Sequence, residues 1–267
     1  MKIFLSALSF NPEFGGPARS VPQLGLALAK MGITVGLWAP DGSAKTSPLI
    51  PEATELLAFA GTADWAWAQF GSVDVLHDNG LWQPHHRTLS RLSLEYQVPR
   101  VVSTRGMLEP WALEQKPTKK RLAWHLYQKR QLQEARLIHA TAPSEASQLR
   151  KLGLQNDIEI IPNGVDVPII EDRLSIRNRR GGSFTCLFMS RLHPKKGLPM
   201  LLRAWSDVRP RNWNLVIAGP DEGGHRADLE ALVIKLNLSG AVSFSGNLGG
   251  EKKSEILRTA DLFILPT

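Results

Sequence analysis

The turn Ser190-Arg191-Leu192-His193-Pro194-Lys195-Lys196-Gly197 lies between an apolar run over residues 184–190 and a stretch of helical period from Leu198. Arg191 offers a planar fork of donors and Lys196 a point charge. Both fall where a helix N-terminus favours negative charge, so the pair suits a diphosphate. A charged, solvated turn is the plainer reading of the same residues. Gly15-Gly16 sits between a short apolar run and a helical pattern. Glycines there let backbone N–H groups approach a phosphate, or merely make a tight connection. Pro17, Ala18, Arg19 and Ser20 follow, so the segment is not the G-x-G-x-x-G dinucleotide fingerprint. Asn163-Gly164 within Ile161-Pro162-Asn163-Gly164-Val165-Asp166 reads as a turn or as the rim of a site, and Gly219-Pro220 and Gly246 open further loops at carboxyl ends of candidate strands.

These residues need a scaffold of alternating strands and helices. Short apolar runs at residues 3–10, 33–39, 73–77, 101–104, 137–141 and 158–161 alternate with segments of helical period, the pattern of a parallel sheet with crossover helices. The alternation restarts at 184–190, with helices expected over Leu198–Val208, Arg226–Leu236 and Glu251–Thr259 and strands over 215–218, 242–245 and 262–265. The class is α/β. A first domain is expected over 1–172, a linker rich in Arg and Gly over 173–183, and a second domain over 184–267. Thr118 to Glu134 is expected as one helix, with Leu122, Leu126, Lys129 and Leu132 on one side. Ser144 is expected to cap the helix that Gly153 ends.

Composition bounds the function. The chain has 267 residues, 43% of them hydrophobic and 21% charged, which excludes disorder as the main reading and fits two domains. The formal net charge of +7 favours anionic partners. No zinc-finger or RRM-type motif accompanies it, so nucleic acid is not expected as the partner. Cys186, the single cysteine, stands in an apolar run and is expected to be buried, in keeping with a reducing cytosol. No signal-peptide cleavage site follows the first apolar run, and no window reaches about 18 uncharged apolar residues. His85-His86 is adjacent rather than at i, i+4 spacing, reads as a helix start, and is assigned no metal.

Taken in order, Gly15-Gly16, the stretch from Ser103 to Trp111, Pro162 to Asp166, Ser190-Arg191 with Lys195-Lys196-Gly197, Ala218-Gly219-Pro220 and Ala260 to Pro266 resemble the retaining glycosyltransferases of family 4 (group 1) over nearly the whole chain. The resemblance implies a GT-B fold, two Rossmann-like domains facing across a cleft, with the acceptor on the first and a nucleotide-sugar donor on the second. It implies transfer of a sugar, of the hexosyltransferase type, from a nucleoside diphosphate to a sugar or lipid-linked acceptor hydroxyl with retention of configuration. The expected setting is polysaccharide, lipopolysaccharide or glycolipid assembly in the cytoplasm or peripherally at the inner membrane face.

By the same resemblance Arg191 and Lys196 hold the donor diphosphate as the catalytic pair. Gly15, Gly16, Gly219, Pro220 and Gly246 border the donor, and His77, Arg105, Gly106, Asn163 and Gly164 border the substrates. The family often has a histidine where this chain has Arg105, while His77 ends another expected strand. No D-x-D sequence is present, so protein cations rather than a metal are expected at the phosphates. The basic residues Lys116, Lys119, Lys120, Arg121, Lys129 and Arg130 form either a solvated face or one that meets anionic lipid or an anionic acceptor. Family members continue past the last strand into a segment carrying E-x7-E. The expectation is therefore a second domain that is incomplete, and a truncated, non-catalytic remnant or nucleotide-binding module stands as the alternative.

Overall fold

In the computed structural model the described residues are 1–51, 54–165 and 182–266. The chain divides into two compact units, Met1–Val167 and Pro168–Thr267. The expected linker over 173–183 lies outside the described residues, apart from Gly182 and Ser183.

The first unit runs β1 (Lys2–Ser6), α1 (Gly16–Lys30), β2 (Thr34–Trp38), α2 (Ser43–Thr46), β3 (Leu57–Phe59), α3 (Ala63–Phe70), β4 (Val75–Asn79), α4 (Pro84–Glu95) and β5 (Arg100–Ser103). It continues through α5 (Pro110–Glu114), α6 (Pro117–Ala123), α7 (Lys129–Gln133), β6 (Leu137–Ala140), α8 (Pro143–Lys151) and β7 (Asp157–Ile160). Its seven strands are parallel in the order β3-β2-β1-β4-β5-β6-β7. Chain order reverses between β1 and β4, and in such sheets ligands bind outside the carboxyl ends at that reversal. Both faces of β1 are covered, as a central parallel strand requires. Ile3 and Leu5 pack with Val21 of α1 and with Val35 and Leu37, while Phe4 packs on the other side with Trp67, Phe70 and Leu89. Burying each such side chain contributes about 1.5–3 kcal/mol. Gly36 in β2 makes room for Phe70, whose ring lies 3.0 Å from where a Cβ would stand.

The second unit runs β8 (Phe184–Met189), α9 (Leu198–Val208), β9 (Trp213–Ala218), α10 (His225–Lys235), β10 (Val242–Gly246), α11 (Gly250–Thr259) and β11 (Leu262–Phe263). Its four parallel strands lie in the order β10-β9-β8-β11, so the reversal falls between β8 and β11. Leu198, Leu202 and Trp205 of α9 pack with Cys186, Phe188 and Ile217 of the sheet. Cys186 is fully buried, as expected.

Several expectations are corrected. The segment 118–134 is helical but not one regular helix, because a π turn at Trp124–Gln128 separates α6 from α7. A π turn inserts a residue and rotates everything after it. Leu122 and Leu126 are consequently exposed, whereas Gln128, Gln131 and Leu132 are buried. The helix expected from Ser144 begins at Pro143 with Ala142 as its N-cap, and Ser144 caps nothing. Leu262 and Phe263 of β11 are about half exposed; among the described residues this strand pairs with β8. β3 and the helices α2 and α3 carry too little periodicity to be foreseen.

Candidate active site

At the carboxyl edge of the first sheet, register brings Ser6 of β1 beside Asp78 of β4. The Ser6 hydroxyl donates to Asp78 Oδ1 at 2.8 Å, and His86 Nδ1 lies 2.7 Å from the same oxygen. Arg100 reaches Asp78 Oδ2 at 3.5 Å. Burial alone would raise the Asp78 pKa. The charge and hydrogen bond of His86, then Arg100 and Ser6, outweigh it and hold the carboxyl below its ordinary range. Asn79 follows, donating from Nδ2 to the carbonyls of Ser6 (3.0 Å) and His77 (3.2 Å).

Arg105, at φ +52°, joins two of these strand ends. Its Nε and Nη2 donate to Asn79 Oδ1 at 3.1 and 2.6 Å, and its Nη1 donates to Asn163 Oδ1 at 2.7 Å. The structure thus brings together Arg105 and Asn163, 58 residues apart. Glu145 holds the base of this loop. Its carboxylate accepts from Thr104 Oγ1 (2.5 Å), Gly106 N (2.7 Å), Thr141 N (2.7 Å) and Thr141 Oγ1 (2.9 Å). Burial pushes its pKa up, but these donors prevail and keep it ionised below the usual carboxylate range. Asp166 lies outside the described residues.

His77 does not end β4, as expected, but sits at its centre with Asp78 and Asn79 beyond it. Its Nε2 is 2.7 Å from Ser103 Oγ. Burial, then the charges of Arg105 and His139, push its pKa down to about 3.

The helix that follows the first strand of each unit starts in the same way. α1 is preceded by Gly15 (φ +81°) and α9 by Gly197 (φ +68°). Neither start has a side-chain cap, and each has a proline in its first turn. Such a start leaves backbone N–H groups without intrahelical partners, the usual seat of an anion. Gly16 is the first residue of α1 and is exposed. Gly197 has a packing reason to be glycine as well: a Cβ there would stand 2.0 Å from the Pro266 carbonyl oxygen.

In the second unit the loops after β8 and β9 are stitched together. Ser190 N donates to Ala218 O (3.1 Å), Leu192 N to Pro220 O (2.8 Å) and Glu222 N to Leu192 O (3.3 Å). Gly219 N donates to Gly246 O at 2.7 Å, so this N–H is already engaged within the fold. Arg191 Nη1 meets both carboxylate oxygens of Glu222, at 3.0 and 2.7 Å. Lys196 ends a short 3-10 turn, Pro194–Lys196, just before α9. Burial and then the positive charges of Lys195 and Arg191 push its pKa down, so the cations lie within electrostatic reach of one another. Among the described residues Lys196 makes no ion pair.

Of the carboxylates and imidazoles of the first unit only His77 was singled out from sequence as a site residue. Glu145 carries a weak signal, at the third position of a helix opened by proline; His86 reads only as part of a helix start, Ser103 only as the first residue of a longer stretch, and Asp78 and His139 carry no signal.

Comparison with known proteins agrees with this layout. The profile of Glycosyltransferase Family 4 matches residues 14–168, and that of Glycosyl transferases group 1 matches residues 170–267. An uncharacterized glycosyltransferase of Methanocaldococcus jannaschii is 29% identical over 123 residues, a match covering 42% of this chain and 31% of that protein, under a third of its length. Among solved structures, sucrose-phosphate synthase of Thermosynechococcus elongatus is similar at a TM-score of 0.79 and 19% identity, over 100% of this chain and 75% of that one. HepE of Anabaena, in complex with UDP and glucose, is similar at a TM-score of 0.69 and 22% identity, over 98% and 73%. The two α/β units have the GT-B fold of such enzymes, and the chain belongs to glycosyltransferase family 4.

Proposed function

We propose that the chain transfers a sugar from a nucleoside diphosphate to an acceptor hydroxyl with retention of configuration, the donor resting on the second unit and the acceptor on the first. One observation carries the reading. Arg191 and Lys196 stand at the carboxyl edge of β8, at the reversal of strand order and beside the uncapped start of α9. As the bond from sugar to diphosphate lengthens, negative charge builds on the departing phosphates. Cations and N–H groups already in place stabilise that charge without reorganising, and removing one such group typically costs on the order of 10²- to 10³-fold in rate. These protein cations would serve where a divalent metal otherwise could. Gly16 offers the corresponding N–H group on the first unit, beside Gly15, whose own N–H turns back to Pro12 O at 3.4 Å, and Gly219, Pro220 and Gly246 form the rim beside Arg191. Arg105, Gly106, Asn163, Gly164 and His77 would face the acceptor. HepE binds UDP and glucose, which supports a nucleotide-sugar donor here.

The test is a thermal-shift panel of UDP-, GDP- and ADP-sugars. At about 100 times its Kd a true donor stabilises the second unit by about 2.7 kcal/mol. Arg191→Ala and Lys196→Ala should each abolish the shift. A nucleotide whose stabilisation survives both substitutions removes this assignment.

The proposed setting is polysaccharide, lipopolysaccharide or glycolipid assembly, at the face of an anionic membrane. Among the described residues no helix is long and apolar enough to cross a membrane. What supports surface docking is α6 with the π turn, where exposed Leu122 and Leu126 accompany Lys116, Lys119 and Arg121. Vesicles containing anionic lipid should retain more protein than neutral ones, and equal retention removes docking from the proposal.

A further inference from the structure

Four polar groups below the carboxyl edge of the first sheet form a single chain of hydrogen bonds. His77 Nε2 lies 2.7 Å from Ser103 Oγ, Ser103 Oγ lies 2.6 Å from His139 Nδ1, and His139 Nε2 lies 2.7 Å from the Ile161 carbonyl oxygen. Ser103 is fully buried, His139 is 9% exposed and His77 is half-buried. Sheet register makes this possible, pairing Ser103 of β5 directly with His139 of β6.

For a neutral His139 ring the direction of every proton in the chain follows from its last member. A carbonyl oxygen only accepts, so His139 Nε2 carries a hydrogen, and Nδ1 of a neutral His139 ring is bare. Ser103 has one hydrogen and gives it to that nitrogen. Its oxygen then has only acceptor capacity left for His77, whose hydrogen must sit on Nε2. The burial and the Arg105 charge that depress its pKa keep the His77 ring neutral, so its Nδ1 is bare. A bare imidazole nitrogen near a guanidinium disfavours a cationic ligand group, and an anionic oxygen brings it no proton. A hydroxyl fits both neighbours.

We propose that Ser103 and His139 are positioning residues that hold His77 as its Nε2–H tautomer, so that Nδ1 accepts a hydrogen bond from a hydroxyl of the carbohydrate acceptor. The ligand half of this rests on the reading of the first unit as the acceptor side, whereas the tautomer half stands on the hydrogen-bond chain alone. The two are separable by experiment. Long-range ¹H–¹⁵N correlation on the full ¹⁵N-labelled chain reports which ring nitrogen is protonated, with His77 assigned by its loss in His77→Gln. The wild type should show protonated Nε2 and bare Nδ1. Ser103→Ala should lose that single pattern, and Ser103→Thr, which keeps the hydroxyl, should restore it. A wild type protonated on Nδ1, or a pattern unchanged in Ser103→Ala, overturns the proposal whatever the protein transfers. Titration with methyl glycosides of glucose, galactose and mannose should move the wild-type Nδ1 resonance. With the expected tautomer in place, an Nδ1 indifferent to all three glycosides refutes the hydroxyl contact and the acceptor reading beneath it.

Discussion

Gly219 separates what the fold requires from what a ligand requires. It stands at φ +144°, where side chains are rarely found, and a Cβ there would lie 1.8 Å from the Ser190 carbonyl oxygen and 2.7 Å from the carbonyl carbon. An ordinary carbon–oxygen contact is about 3.3 Å. The loops after β8 and β9 would therefore have to part by roughly 1.5 Å at the point where Ser190 N meets Ala218 O and Leu192 N meets Pro220 O. Losing two such bonds costs about 0.5–1.5 kcal/mol each. Backbone strain at this φ adds about 1–3 kcal/mol. Gly219→Ala should thus destabilise the second unit by roughly 2–6 kcal/mol, a large share of a net stability of about 5–15 kcal/mol. Gly246 is the control: at φ +68° with nothing within 4 Å of its virtual Cβ, Gly246→Ala bears strain alone, about 1–2 kcal/mol. Urea unfolding followed by circular dichroism measures both. Equal losses in the two variants, or a Gly219→Ala chain within about 1 kcal/mol of wild type, would refute the packing argument and leave ligand approach as the reason for this glycine.

Two further outcomes follow from pairings the structure reveals. If Arg191 holds the donor diphosphate as proposed, Glu222 competes with it for that side chain; both side chains are about half exposed. A surface pair of this kind is worth about 0.2–1 kcal/mol, so Glu222→Gln should tighten UDP binding by up to about fivefold in calorimetry, and weaker or unchanged binding contradicts the competition. Glu145 has its pKa depressed in the folded state below the ordinary glutamate value of 4.5. Its contribution is fully present above that value and is lost as pH falls below it toward the folded-state pKa. Wild type should therefore lose stability over that acid range more steeply than Glu145→Gln, itself less stable at neutral pH. Parallel pH profiles would show that the Glu145 carboxylate does not hold the Thr104–Gly106 loop.

Much of the architecture was legible along the chain. The alternation of short apolar runs with helical periods marks both units, and the helix expected over Leu198–Val208 forms with those bounds. Glycine before α1 and α9, and the cations between β8 and α9, are local features that survive any arrangement of the remaining elements. Where the reading failed, the reason was also physical. The π turn shifts the helix phase by a residue, so Leu122 and Leu126, in phase with Leu132 on paper, face away from the core. Ser144 has the right residue type for a cap, but Pro143 starts the helix one position earlier. Glu145, which lies within it, binds Thr141, Thr104 and Gly106 instead.

Sequence by itself determined the alternation, the family and the residues that bring positive charge to a helix start, because each depends on neighbours within a few positions. Tertiary structure alone decided that Arg105 bridges Asn79 and Asn163, that Arg191 rests on Glu222, and that His77 is linked through Ser103 to His139. Such partners lie 26 to 58 residues apart and meet only once strand order and register are set. A one-residue slip of β5 against β6 would turn Ser103 to the other face of the sheet and break the chain to His139.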